Sequence, residues 1–109
     1  MSYEYTDILP PRDGDGHLLD AAQWTRDIGL RLAAEDGVVL EPAHWWLIEF
    51  VRAYHQRYGN PPLMRTVVKA LRAEHDAGAG SRDLYRLFPE HPVRMACKYG
   101  GLAKPDWCI

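Results

Sequence analysis

The stretch EPAHWWLIEFVRAYHQRYGNPP, residues 41–62, decides the fold. Leu47, Phe50, Val51, Tyr54 and Tyr58 recur at helical spacing, which gives the segment one continuous apolar face. Pro42 suits a first helical turn, where its missing N–H removes nothing the helix would use. Gly59 and the Pro61–Pro62 pair end the helix. Trp45, Trp46 and Tyr54 read as core and helix-packing aromatics.

The flanking sequence continues the pattern in both directions. A second helix is predicted from about Leu63, with Val67, Ala70 and Leu71 inward and Arg65, Lys69 and Arg72 outward. Its connection through GNPP gives a helix-turn-helix-like pair, a geometry that can also read DNA. DAGAG is a flexible break, after which Ser81 is expected to cap RDLYRLF, closed by Pro89. Pro92 opens the last helix, VRMACKY, and the Gly100–Gly101 pair ends it. Upstream, Asp20 or Thr25 caps a helix carrying Ile28, Leu32 and Ala33 that stops at Gly37. YEYTDI, DGDG and HLL read as a small hairpin over residues 3–19, with Pro10 and Pro11 disturbing its register. The expected fold is mostly α: a small helical bundle with a helix-turn-helix-like core, an N-terminal β-hairpin and a flexible C-terminal arm. One domain fills residues 1–109, with a globular body at 1–99 and a mobile arm at 100–109.

Bulk properties narrow the function classes. The 109 residues are 47% apolar and 26% charged, ordinary for a globular domain able to build a core without disulfide staples. A net charge of −2 offers no general attraction to nucleic acid or anionic membrane. No apolar run approaches the roughly 20 residues of a membrane span, and the acidic, proline-broken N-terminus does not resemble a targeting signal. A cytoplasmic location follows as the expectation. There, cysteines are more often catalytic, redox-active or metal-binding than structural.

Both cysteines lie in the closing stretch CKYGGLAKPDWCI, residues 97–109, and Cys108 is penultimate. A thiol on a terminal arm is solvated and can ionise, and the thiolate is the nucleophile. Cys97, near the end of the last helix, reads equally as a core cysteine. Gly100 and Gly101 supply a hinge and Pro105 stiffens the distal part, so the arm can stand out with free thiols or fold in with the sulfurs linked. His17, His44, His55, His75 and His91 are scattered and none pairs with a cysteine at ligand spacing, so neither metal nor cofactor is expected. A stand-alone thiol enzyme would need a histidine fixed beside Cys97 or Cys108. A redox-sensitive DNA-binding regulator would use the basic face of the second helix.

DAAQW at 20–24, EPAHWWLIEFVRAY at 41–54, PPLMRTVVKA at 61–70, LYRLFP at 84–89 and ACKYGGLAKPDWCI at 96–109 together resemble the DsrC/TusE family of sulfur-relay proteins. The resemblance implies a helical bundle with an N-terminal hairpin and a sulfurtransferase-type carrier that works with partner enzymes. It implies that Cys108 carries sulfur as a persulfide. Cys97 fills the upstream position that DsrC-like members have and TusE-like members usually lack. The implied partners are sulfur-donor and sulfur-acceptor proteins, either sulfite reductase-like or of a relay towards tRNA 2-thiouridine; independently of the resemblance, a monomer with no membrane partner is expected. Ala103 stands where the family normally has proline, and Asp106–Trp107 replace a small or polar pair. Arg65, Lys69, Arg94, Lys98 and Lys104 are the candidates for stabilising anionic sulfur or docking an acidic partner.

Overall fold

A computed structural model describes residues 8–106. Among them are five α-helices: α1 (Arg26–Glu35), α2 (Pro42–Tyr58), α3 (Met64–Glu74), α4 (Ser81–Leu87) and α5 (Pro92–Tyr99). Helix α5 lies at the centre and packs on α2 and α1; α4 packs on α5, and α3 rests chiefly on α4. At eight residues α5 is too short to persist alone in water. Its burial stabilises it: Val93, Ala96, Cys97 and Tyr99 are fully buried, against Leu32, Leu47, Ile48, Val51 and Phe88 of the same core. Each large aliphatic side chain in that core contributes about 1.5–3 kcal/mol relative to an exposed one.

The helix starts have local causes. Thr25 caps α1 by accepting from the Ile28 N–H, and Asp20 caps a separate 3-10 turn, Ala21–Gln23, so the two candidate caps serve two elements. Pro42 and Pro92 open α2 and α5. His91 Nδ1 accepts from the Arg94 N–H at 3.3 Å, and burial together with the charge of Arg94 lowers its pKa, which keeps the ring neutral for that task. Ser81 is the first helical residue of α4 rather than its cap. Gly80 takes the cap position and donates its N–H to Asp83 Oδ2 at 2.9 Å.

The long apolar face of α2 divides. Leu47, Ile48 and Val51 enter the core, whereas Trp46, Phe50, Tyr54 and Tyr58 form a ladder along one edge with ring centroids 5.5, 6.2 and 4.5 Å apart.

No β-hairpin is found among the described N-terminal residues. Residues 11–19 do reverse direction through the DGDG turn, with Leu19 N–H donating to the Pro11 carbonyl, but a single bridge between Arg12 and Leu18 is all the pairing they make. Pro10 and Pro11 bring no N–H to a ladder, so no strand extends from the bridge. The other limb begins in residues 3–7, outside the described residues. The reversal still does a job: it delivers His17 and Leu18 to the core.

Candidate functional site

The last helix ends in a way that positions everything after it. The Leu102 N–H donates to the Cys97 carbonyl at 2.8 Å and the Gly101 N–H to the Lys98 carbonyl at 3.4 Å, the paired bonds of a Schellman motif. Gly101 has the left-handed φ of +76° that the motif requires. The carbonyls left over at a helix end need partners, and side chains from three other elements supply them. Trp24 Nε1 donates to the Tyr99 carbonyl at 2.8 Å, Arg52 Nη1 to the Gly100 carbonyl at 2.6 Å, and His17 Nδ1 to the Leu102 carbonyl at 2.9 Å. A carbonyl only accepts, so the last bond places the proton on Nδ1. Arg52 also stacks 3.9 Å over the Trp24 ring, which joins two of the three donors to each other. Leu102 and Pro105 are buried, and the glycine pair, expected to be a hinge, is a packed corner.

Gly29 makes this clamp fit. A Cβ there would lie 2.7 Å from the Tyr99 carbonyl oxygen and 3.2 Å from Trp24 Nε1. Helix propensity alone favours alanine over glycine inside a helix by about 1 kcal/mol. We expect the opposite sign here: Gly29→Ala should lower the urea midpoint and should quench or shift Trp24 fluorescence, because the added methyl intrudes on the bond.

Beside the clamp lies a groove of about 470 Å³ lined by Asp15, His17, Asp36, Arg94, Lys98 and Tyr99, among others. Asp36 organises it. Its Oδ2 accepts from Lys98 Nζ at 2.9 Å and from the Tyr99 hydroxyl at 2.7 Å. Burial works against the Asp36 charge, but those two hydrogen bonds and the cations Lys98 and Arg12 outweigh it and hold the carboxyl below its ordinary value. Burial, and then the bond to Asp36, raises the pKa of Tyr99. A depressed carboxyl contributes stability that is present above its unfolded value and lost as pH falls through the folded one. Asp36→Asn should therefore be less stable than the parent at neutral pH, and the difference should close below about pH 4. Urea midpoints measured across that range check it.

The structure separates the residues singled out from the sequence. Cys97 is fully buried on α5. Arg94 and Lys98 line the groove, where Arg94 sits 3.7 Å from Glu90 and Lys98 is bound by Asp36. Lys104 reaches Asp15 on the rim at 3.6 Å. Arg65 and Lys69 lie elsewhere, on the exposed face of α3. Cys108 and Trp107 lie outside the described residues. No cluster of three or more His, Cys, Asp or Glu able to hold a metal occurs among the described residues.

A model of the DsrC family, described as DsrC like protein, matches residues 6–109. The chain belongs to the DsrC family. It is similar to the sulfurtransferase TusE of Yersinia pseudotuberculosis serotype I (strain IP32953), with 39% identity over 107 residues covering 97% of this chain and 99% of that one. It is 38% identical over 98 residues to the TusE of Escherichia coli (strain K12), covering 89% and 90%. Among solved structures it is similar to the oxidized gamma-subunit of the dissimilatory sulfite reductase, DsrC, of Archaeoglobus fulgidus. That match has a TM-score of 0.84 and 31% identity and covers 92% of both chains. These matches lend the DNA-reading alternative no support.

In this DsrC-family chain the residues that hold the C-terminal segment, His17, Trp24, Arg52 and the spacer Gly29, were not candidates from the sequence. Trp24 lies in DAAQW and Arg52 in EPAHWWLIEFVRAY, two segments of the family resemblance, and His17 directly follows the DGDG turn, but none of these signals names a contact partner.

Proposed function

We propose that the protein is a sulfur carrier that accepts sulfane sulfur on Cys108 and hands it to partner enzymes. One observation carries the reading: the chain is similar over nearly its whole length to sulfurtransferases, and its fold anchors the backbone up to Pro105 while Cys108 follows only three positions later. In uptake, the Cys108 thiolate attacks the terminal sulfur of a donor persulfide. The donor leaves as a thiolate, and Cys108 holds the persulfide. A partner thiolate then takes the sulfur by the same exchange in reverse. Cys97 permits a second outcome. Its thiolate attacks the Cys108 sulfur that carries the persulfide, a Cys97–Cys108 disulfide forms, and hydrosulfide leaves. Because Cys97 is buried, this step requires the chain end to reach into the core or the end of α5 to open.

Arg94, Lys98 and Lys104 border the groove beside the clamp and would stabilise anionic sulfur there; Arg65 and Lys69, on α3, would serve docking. The body is residues 1–99 and the segment from Gly100 is the carrier segment, clamped to the body up to Pro105, within one domain that acts as a cytoplasmic monomer. Cys97 favours a sulfite reductase-like partner over a relay towards tRNA 2-thiouridine. Intact mass spectrometry after incubation with a persulfide donor tests the reading: one sulfur, about 32 Da, should be added and should map to Cys108. Mapping of the sulfur to Cys97 alone would overturn it.

A further inference from the structure

The exposed face of α3 gathers three cations beside one groove with no carboxylate in its lining. Elsewhere in the described residues, seven cations form ion pairs, Arg12, Arg26, Arg31, Arg86, Arg94, Lys98 and Lys104, while Arg52, Arg57 and Arg82 form none. Arg65, Lys69 and Arg72, at i, i+4 and i+7 on α3, make none among the described residues, and Arg72 is braced by donating Nε–H to the Ala79 carbonyl at 2.6 Å. The three line a groove of about 440 Å³ that Ser81 of α4 closes, and Met64 and Val68 form its apolar floor. No carboxylate lines it. On a chain of net charge −2 this is a local reversal of sign.

We infer that this α3–α4 groove docks an acidic protein segment that inserts an aliphatic side chain onto Met64 and Val68. The row of cations selects carboxylates and speeds encounter by steering; the floor excludes water from the anchor and sets the register, as in helix-in-groove recognition. The floor also decides against nucleic acid. A phosphate backbone gains nothing from Met64 and Val68, and the lining offers no aromatic ring on which a base would stack. The groove shares no residue with the clamp, so an occupant leaves the clamp's bonds in place. Held there, a partner meets the tail as an intramolecular reactant at raised effective concentration. The proposal relies on the carrier reading only for what the docked partner does next.

The test uses the full chain and three labelled probes: a synthetic 14-residue peptide with glutamates around leucines at i and i+4, the same peptide with serine for leucine, and a single-stranded 12-mer RNA. NMR titration is expected to move the signals of Met64–Arg72 and Ser81 with the leucine peptide. The affinity should fall about tenfold or more in Arg65→Glu or Lys69→Glu, both exposed positions that the fold tolerates, and fall again with added salt. Cys108→Ser should bind it unchanged, which separates this result from any failure of sulfur loading. Equal binding of the serine peptide, stronger binding of the RNA, or shifts confined to other faces would overturn the proposal.

Discussion

A Cys108→Ser protein is expected to take up no sulfur from a persulfide donor and to pass none to an acceptor, a loss to background rather than a partial reduction. The hydroxyl of serine is not ionised near neutral pH, whereas a solvated thiol is a few per cent thiolate and intrinsically far more nucleophilic. Serine also cannot hold a sulfur–sulfur bond, so no slower route through the same position remains. Cys97→Ala separates the two thiols. It should still load Cys108, because the proposed uptake step does not use Cys97, but mild oxidation should then give dimers linked through Cys108 in place of an internal bridge. An internal ring with ten residues between its cysteines closes at lower entropic cost than the meeting of two molecules at low concentration. Non-reducing electrophoresis of parent and variant distinguishes these results. If both proteins only dimerise, Cys97 is a core residue and the carrier works with one cysteine.

Gly101→Ala should destabilise the fold by about 2–4 kcal/mol, a large part of the 5–15 kcal/mol that holds a typical domain together. Two costs add. The φ of +76° puts any side chain in the left-handed region, at about 1–2 kcal/mol. The new Cβ would also lie 2.5 Å from Cβ, Cγ and Cδ1 of Trp24, so the indole must leave its place. With it go the Trp24–Tyr99 hydrogen bond and the platform on which Arg52 stacks. Chemical denaturation gives the first number. A second readout is the rate of Cys108 alkylation in the folded variant, which should change because the chain end is no longer launched from a fixed corner. A stable variant with parental alkylation would show that the corner is not needed.

How much of this could be read in advance follows from the range of the interactions. The helices were legible because their signals are local: Pro42 and Pro92 at first turns, Thr25 as a cap, apolar spacing in α2 and α3. The basic face of α3 was legible for the same reason. The hairpin was misread because turn residues and strand formers at 3–19 outweighed two prolines that withhold ladder donors. The clamp was invisible because its partners are far apart in sequence. Trp24 meets Tyr99 and His17 meets Leu102 across most of the chain, and Arg52 in isolation is one more polar residue on a helix. Nothing local sets Gly29 apart, since only the folded state reveals the carbonyl that excludes a methyl group. The glycine pair after α5 was rightly seen as a helix stop, but its burial depends on Trp24, which no local pattern announces.

The packed corner also fixes a length. From Pro105, three residues lead to Cys108, a tether of about 11 Å fully extended. Counted from Tyr99, with every clamping bond released, nine residues give about 32 Å. An acceptor whose reactive sulfur or metal lies near its surface can be served by the short tether at no cost to the fold. One with a deep channel draws out the longer tether only by breaking the bonds to Trp24, Arg52 and His17, each worth about 0.5–1.5 kcal/mol net, and by exposing Leu102. A deeper acceptor would therefore bind at a cost set by the clamping bonds it must break.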